Sequence, residues 1–288
     1  MSKNLSELKQ TLDELYNARS TVHLANDPLS FCHRYHLPAD REIAALIASA
    51  FAYGAVKVIK KSLAGIFEPM GNSPSEFIDS FSPARGQKLF EGFRHRFNDG
   101  RDLCCLLWAI RKIREKSGSI EGFFTGFDTG PTLEARMNSF SREVLSMDFR
   151  PVTGSSRLPE DSYLRFLFPS PSGGSACKRL CMFLRWVVRP DDGIDLGLWK
   201  NVKPSELVIP VDVHISRIAR FLGLATRTSA DWKMAMEITT SLRLLDPEDP
   251  VKYDFSLCHL GISEGCDGRG GEICSTCPVS RHCSIKDG

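Results

Sequence analysis

Leu5, Leu8, Leu12 and Leu15 or Tyr16 recur at helical spacing among Lys, Glu, Asp and Asn, so the chain opens on an amphipathic helix. Residues 42–52 (EIAALIASAFA) are apolar almost all round, which predicts a buried helix. The same spacing predicts helices over 56–67, over 74–80 with Ser73 as cap, and over 103–116. Ser117-Gly118-Ser119 stops the last of these, and Ile120 to Thr125 starts another. Between Met147 and Pro171 prolines and small polar residues replace any helical face, predicting a long irregular connection. Helices follow over 176–188, ended by Arg189-Pro190, and over 214–222. Sustained period-two alternation is missing from the pattern, so an all-α fold is expected.

Composition changes this picture little. The 288 residues suffice for one large or two smaller domains, and 42% apolar with 25% charged residues is the balance of a globular protein. No run approaches the 18–20 apolar residues of a membrane span, and the polar start is unlike a secretory signal, so a cytoplasmic protein without membrane contact is expected. The near-neutral charge, 37 Lys+Arg against 35 Asp+Glu, excludes a wholly basic coat but leaves room for one basic groove.

Cysteine changes it more. Half of the ten cysteines lie from Cys258 onward, and four read Cys266-x7-Cys274-x2-Cys277-x5-Cys283 among turn-forming Gly, Asp and Pro. A secreted disulfide framework would spread its cysteines along the chain. Structural zinc commonly pairs two close-spaced knuckles, whereas only Cys274 and Cys277 form one here. Four thiolates on unequal arms suit a [4Fe–4S] cluster, with zinc as the alternative and uncoordinated or disulfide-bonded cysteines as the bland one. Cys258, in the apolar run FSLCHLGI, reads as core.

Two further residues draw attention. In SPSGGSACKRLCMFLRWVV a glycine turn runs into an amphipathic helix whose first turn holds Lys178. Backbone N–H groups at such a turn suit a phosphate oxygen. The positive helix end and apolar neighbours would lower the lysine's pKa and free a nucleophilic amine, though a plain surface lysine would read the same. In VIPVDVHISRIARFLGLA, Asp212 stands where an N-cap belongs, His214 falls in the first turn, and Arg217 and Arg220 lie on the polar side, open to a phosphate or to water.

Taken in this order, the glycine turn with lysine, the Pro-Val-Asp-x-His helix start and the four-cysteine terminus resemble the helix-hairpin-helix (HhH-GPD) DNA glycosylase superfamily, the endonuclease III branch in particular. The likeness is best over residues 165–283. The segments EIAALIASAFAYG, KRLCMFLRWVVR and IPVDVHISRIARFLGL are similar to those of a DUF2400-like prokaryotic family within that superfamily. The turn itself is Ser-Pro-Ser-Gly-Gly in place of Leu-Pro-Gly-Val-Gly, with Lys178 four residues beyond Gly174, and 191–209 reads as an insertion able to line or block a base pocket.

The resemblance implies two helical subdomains, 42–175 carrying the hairpin, and 1–41 with 176–288 carrying the aspartate helix and the cysteine loop. It implies a base-excision enzyme, a monomer at the nucleoid, acting on double-stranded DNA with a damaged base such as 8-oxoguanine. Lys178 would attack C1′ and form a Schiff base, giving AP-lyase activity, and Asp212 would stabilise the sugar cation. Gly173, Gly174, Ser175 and Arg217 would grip the DNA backbone, and Cys266, Cys274, Cys277 and Cys283 would hold the cluster. Arg269, Arg281 and Lys286 would border the DNA, and Phe168, Trp186 and Trp199 are candidates to hold a flipped base. A non-catalytic iron–sulfur nucleic-acid-binding protein is the alternative, as is a zinc-stabilised helical protein; neither needs both Lys178 and Asp212.

Overall fold

The computed structural model describes residues 3–19, 23–127, 130–262 and 265–287. It is 61% helix and 2% strand, an all-α protein. The chain runs α1 (Lys3–Arg19), α2 (Pro38–Ala50), α3 (Val56–Phe67), α4 (Pro74–Asp79) and α5 (Pro83–Leu89), then a hairpin of β1 (Arg94–His95) and β2 (Asn98–Asp99). There follow α6 (Gly100–Ser117), α7 (Ile120–Thr125), α8 (Leu133–Leu145), α9 (Arg150–Thr153) and α10 (Leu164–Leu167). The last set is α11 (Lys178–Val188), α12 (Val213–Phe221), α13 (Trp232–Arg243), α14 (Asp254–Ile262) and α15 (Glu272–Thr276). No described helix is long and apolar enough to cross a membrane.

The chain forms two compact units, the first from residues 1–25, 174–197 and 203–288, the second from 26–173 and 198–202.

In unit 2, α2 is buried on nearly every side, as its composition demands, with Ile43, Ala44 and Ile47 fully covered. Glu42 is the exception that explains itself. Its carboxylate accepts the Ile120 and Glu121 backbone N–H groups at 3.0 and 2.8 Å and the Trp199 indole at 2.7 Å, capping α7 from inside the core. Burial nonetheless pushes its pKa up. Phe124 and Phe140 complete this core. The 147–171 connection is irregular apart from α9 and α10, one turn each. The hairpin falls outside the elements that the hydrophobic pattern predicts, because two-residue strands are too short to show alternation.

In unit 1, Leu12 of α1, Phe183 and Trp186 of α11, Ile215 of α12, Ile238 of α13 and Tyr253, just ahead of α14, are all buried. Among them lies an ion network. Arg185 donates to Asp195 (3.2 Å) and Asp254 (2.5 Å); Arg189 donates to Asp249 (2.8 Å), Asp192 (3.1 Å) and Asp195. Tyr16 of α1 donates to Asp192 at 2.5 Å, tying the first helix to the network. Asp192 and Asp195 come from the segment expected as a pocket-lining insertion. In unit 1 that segment supplies counter-ions to α11.

Candidate active site

Asp212 has the extended backbone of an N-cap, and its Oδ1 accepts the His214 and Ile215 N–H groups, both at 2.9 Å. The cap expected from the sequence is present, and it fixes the carboxylate. The other oxygen, Oδ2, lies 2.9 Å from Lys178 Nζ at the first position of α11. The pair is mostly buried but reaches solvent, the Lys178 side chain 33% exposed and Asp212 12%. Two residues from separate helix starts are therefore brought into direct contact.

The electrostatics differ from expectation. Burial opposes the charge of Lys178, but Asp212, with Cys258 and Asp254 adding to it, carries the amine's pKa above its ordinary value. The expectation of a lowered lysine pKa rests on the helix dipole and leaves out the carboxylate. Burial likewise opposes the Asp212 anion, yet Lys178 and the capping N–H groups hold its pKa below the usual range. At neutral pH the resting pair is ammonium and carboxylate.

Cys258 is the residue the sequence does not reveal as part of this site. Expected in the core, it is only partly buried, and its Sγ lies 3.9 Å from Asp212 Oδ2. Helix α14 comes this close because Gly261 faces α12; a Cβ there would sit 2.4 Å from His214 Nδ1. Beneath the pair, Asp254 is buried, and burial pushes its pKa up to about 6 although Arg185 opposes the shift.

Upstream of Lys178, Pro171–Gly173 is a single 3-10 turn. Gly174 has φ +77°, which glycine adopts without strain, and space beside it is open. Ser175 bridges to the backbone of Asp231, and its Oγ accepts the Cys177 N–H at 3.1 Å. Cys177, the N-cap of α11, has φ +49° and supplies no side-chain cap. Gly173 and Gly174 are exposed.

The four terminal cysteines line one pocket. Its other walls are apolar except for Ser280: Ile218 and Phe221 of α12 with Leu222 just beyond, Leu260 of α14, and Val279 and Ile285 of the loop. No disulfide joins the four. The described residues contain no group of three His, Cys, Asp or Glu side chains gathered tightly enough for a single metal ion. Four thiols around an apolar pocket are a donor set that fits a thiolate-ligated group.

Several arginines and aromatics do not take the places expected of them. Arg217 donates to the Cys266 carbonyl and stands 3.4 Å from His214 Nδ1, which fastens the cysteine loop to α12. Arg281 turns to Thr11 Oγ1 on α1 (3.0 Å), while Arg269 is exposed beside Asp267. The Lys286 side chain lies outside the described residues. Phe168, Trp186 and Trp199 are all core, so none faces a base.

An all-α protein with a lysine–aspartate pair at two helix starts and a four-cysteine terminal pocket is the class these features define. Residues 27–263 match the family described as "Protein of unknown function (DUF2400)", and the chain belongs to that family. No curated protein and no solved structure matches it.

Proposed function

We propose that the protein is a helix-hairpin-helix-type DNA glycosylase with AP-lyase activity, acting as a monomer on double-stranded DNA that carries a damaged base. The observation that supports this reading is the 2.9 Å contact between the Lys178 amine and the capped Asp212 carboxylate, with the lysine partly open to solvent. An N-glycosidic bond leaves a sugar cation as it breaks, and a rigid anion close to C1′ lowers that barrier. Asp212 is held rigid by two backbone N–H groups and kept ionised by its neighbours.

In this reading Asp212 stays ionised beside C1′ while Lys178 gives a proton to the departing base nitrogen. The freed lone pair bonds C1′, and the glycosidic electrons leave with the base nitrogen, which takes up that proton. Opening of the sugar at O4′ yields the Schiff base. Loss of a C2′ proton then expels the 3′ phosphate. The raised lysine pKa makes the first transfer the costly step. Gly174 and Ser175, with the N–H groups that open α11, would receive a backbone phosphate. Cys266, Cys274, Cys277 and Cys283 would hold a [4Fe–4S] cluster, or zinc in its place, whose contribution is to order the terminal loop.

The test is borohydride trapping on duplexes carrying 8-oxoguanine, uracil, an oxidised pyrimidine or an abasic site. The wild type should form a covalent adduct with at least one, and Lys178→Gln should form none while keeping its circular dichroism. No adduct and no base release with any substrate would leave the non-catalytic nucleic-acid-binding reading. A brown, anaerobically prepared protein would exclude zinc, whereas a colourless one containing zinc would remove the cluster.

A further inference from the structure

We infer that unit 2 carries a second nucleic-acid site, a stacking platform for the unpaired bases of single-stranded DNA, at the tip of the β1–β2 hairpin. Three aromatic side chains are exposed and gathered there: Phe97 (48%), Tyr163 (47%) and Phe166 (39%). Phe97 and Tyr163 are stacked, ring centroids 5.6 Å apart and planes within 18°, and Phe166 meets Phe97 edge-on at 6.2 Å. Large apolar rings clustered in water mark a binding surface more often than a chance of folding.

The backbone supports this. The hairpin loop is Arg96-Phe97, and Arg96 has φ +52°, a conformation that costs a non-glycine residue about 1 kcal/mol or more. Hairpin turns favour Gly or Asn at such a position. Here the strained residue places its guanidinium 5.4 Å over the Phe97 ring. A buried polar network holds the strained tip from below. His95 bonds Ser62 Oγ (2.8 Å) and the Tyr53 carbonyl (3.0 Å), and the Tyr53 hydroxyl bonds Asn98 Oδ1 (2.5 Å). Asn98 and Ser162 both donate to Asp102, at 3.2 and 2.9 Å, so the hairpin and the residue before Tyr163 share one anchor. The rings are thus presented on a rigid support, which lowers the entropy cost of binding.

Charge selects the partner. Arg94, Arg96 and Arg165 are exposed on these segments. The acids nearby are largely committed: Asp99 caps α6, Asp102 faces the network and Asp161 pairs with Arg101 at 2.9 Å, leaving Glu91 and Glu160. Exposed, stacked aromatic faces bordered by arginine are the chemistry that takes up bases on rings and phosphates on guanidinium groups. No residue of the Lys178 site takes part and no damaged base is needed, so this platform stands or falls separately from the glycosylase reading.

Fluorescence anisotropy of labelled oligo(dT) at low salt tests it. The wild type should bind, Phe97→Ala with Tyr163→Ala should weaken binding about tenfold or more, and Phe97→Trp should retain it. Arg94→Ala with Arg96→Ala should flatten the salt dependence by roughly 0.7 in log–log slope for each phosphate no longer neutralised. Wild-type affinity in a double aromatic variant of unchanged circular dichroism would overturn the inference, as would absence of oligo(dT) binding by the wild type. A wild-type dimer dissolved by the same variant would make a second copy the occupant, and would overturn it too.

Discussion

Helix α11 carries two ionic clusters, and they are built to different ends. At its start, one lysine meets one aspartate, with a third of the lysine side chain open to water. Two turns further on, Arg185 and Arg189 are each 5% exposed and share Asp195, which is wholly buried. Charges removed from water so completely are tolerated only when each is matched, and such a network locks α1, α11, α14 and the 191–197 segment into one arrangement. The open pair is different. Its groups keep contact with solvent, so an incoming sugar or phosphate can reach them, which is what a reacting site requires.

The sharpest break of the buried side is Asp195→Ala. It should lower unfolding free energy by about 3–5 kcal/mol in urea titration, because Arg185 and Arg189 lose their common counter-ion. A loss below 1 kcal/mol would erase the contrast. On the open side, Asp212→Asn should reduce base release by about 10²-fold or more, roughly 2.7 kcal/mol of barrier, with the helix cap retained because Asn also caps. Asp212→Ala should add a stability loss of about 1 kcal/mol from the missing cap.

Smaller in size but sharper in sign is the pH dependence. The Lys178 pKa is raised and that of Asp212 lowered, so the pair's stabilisation is present across the neutral range. It fades as pH falls through the depressed carboxylate pKa and as pH rises through the raised amine pKa. Schiff-base trapping on an abasic duplex needs neutral amine, so it should increase with pH. In Asp212→Asn, with the anion gone, that profile should move to lower pH. An unmoved profile would mean that the carboxylate does not set the amine's protonation.

The contrast also separates what the chain reveals from what it conceals. The Asp212 and Ser73 caps, the Gly118 stop, the bounds of α3 and the end of α11 follow from local rules, whereas α2 runs from Pro38 to Ala50 rather than over 42–52 and α11 starts at Lys178 rather than at 176. The Lys178–Asp212 contact is legible only through a family resemblance, since nothing local in either segment points to the other. Cys258 could not be assigned to this site because α14, DFSLCHLGI, has apolar residues on several sides and no polar face to orient it. The polar side of α12 is legible, but whether Arg217 meets water or the Cys266 carbonyl depends on a loop that lies far along the chain. The Arg96 tip is hidden because strain belongs to backbone angles, which composition does not show.

The assembly of unit 1 from three stretches of chain has a consequence for biosynthesis. Unit 2 is nearly continuous, and everything it needs except 198–202 has been made by residue 173. Helix α1 is made before unit 2, yet partners of its Tyr16, Asp13 and Thr11 are Asp192, Tyr253 and Arg281. Helix α1 therefore docks only after unit 2 has been made, and its apolar stripe of Leu8, Leu12 and Leu15 waits for chain some 240 residues further on.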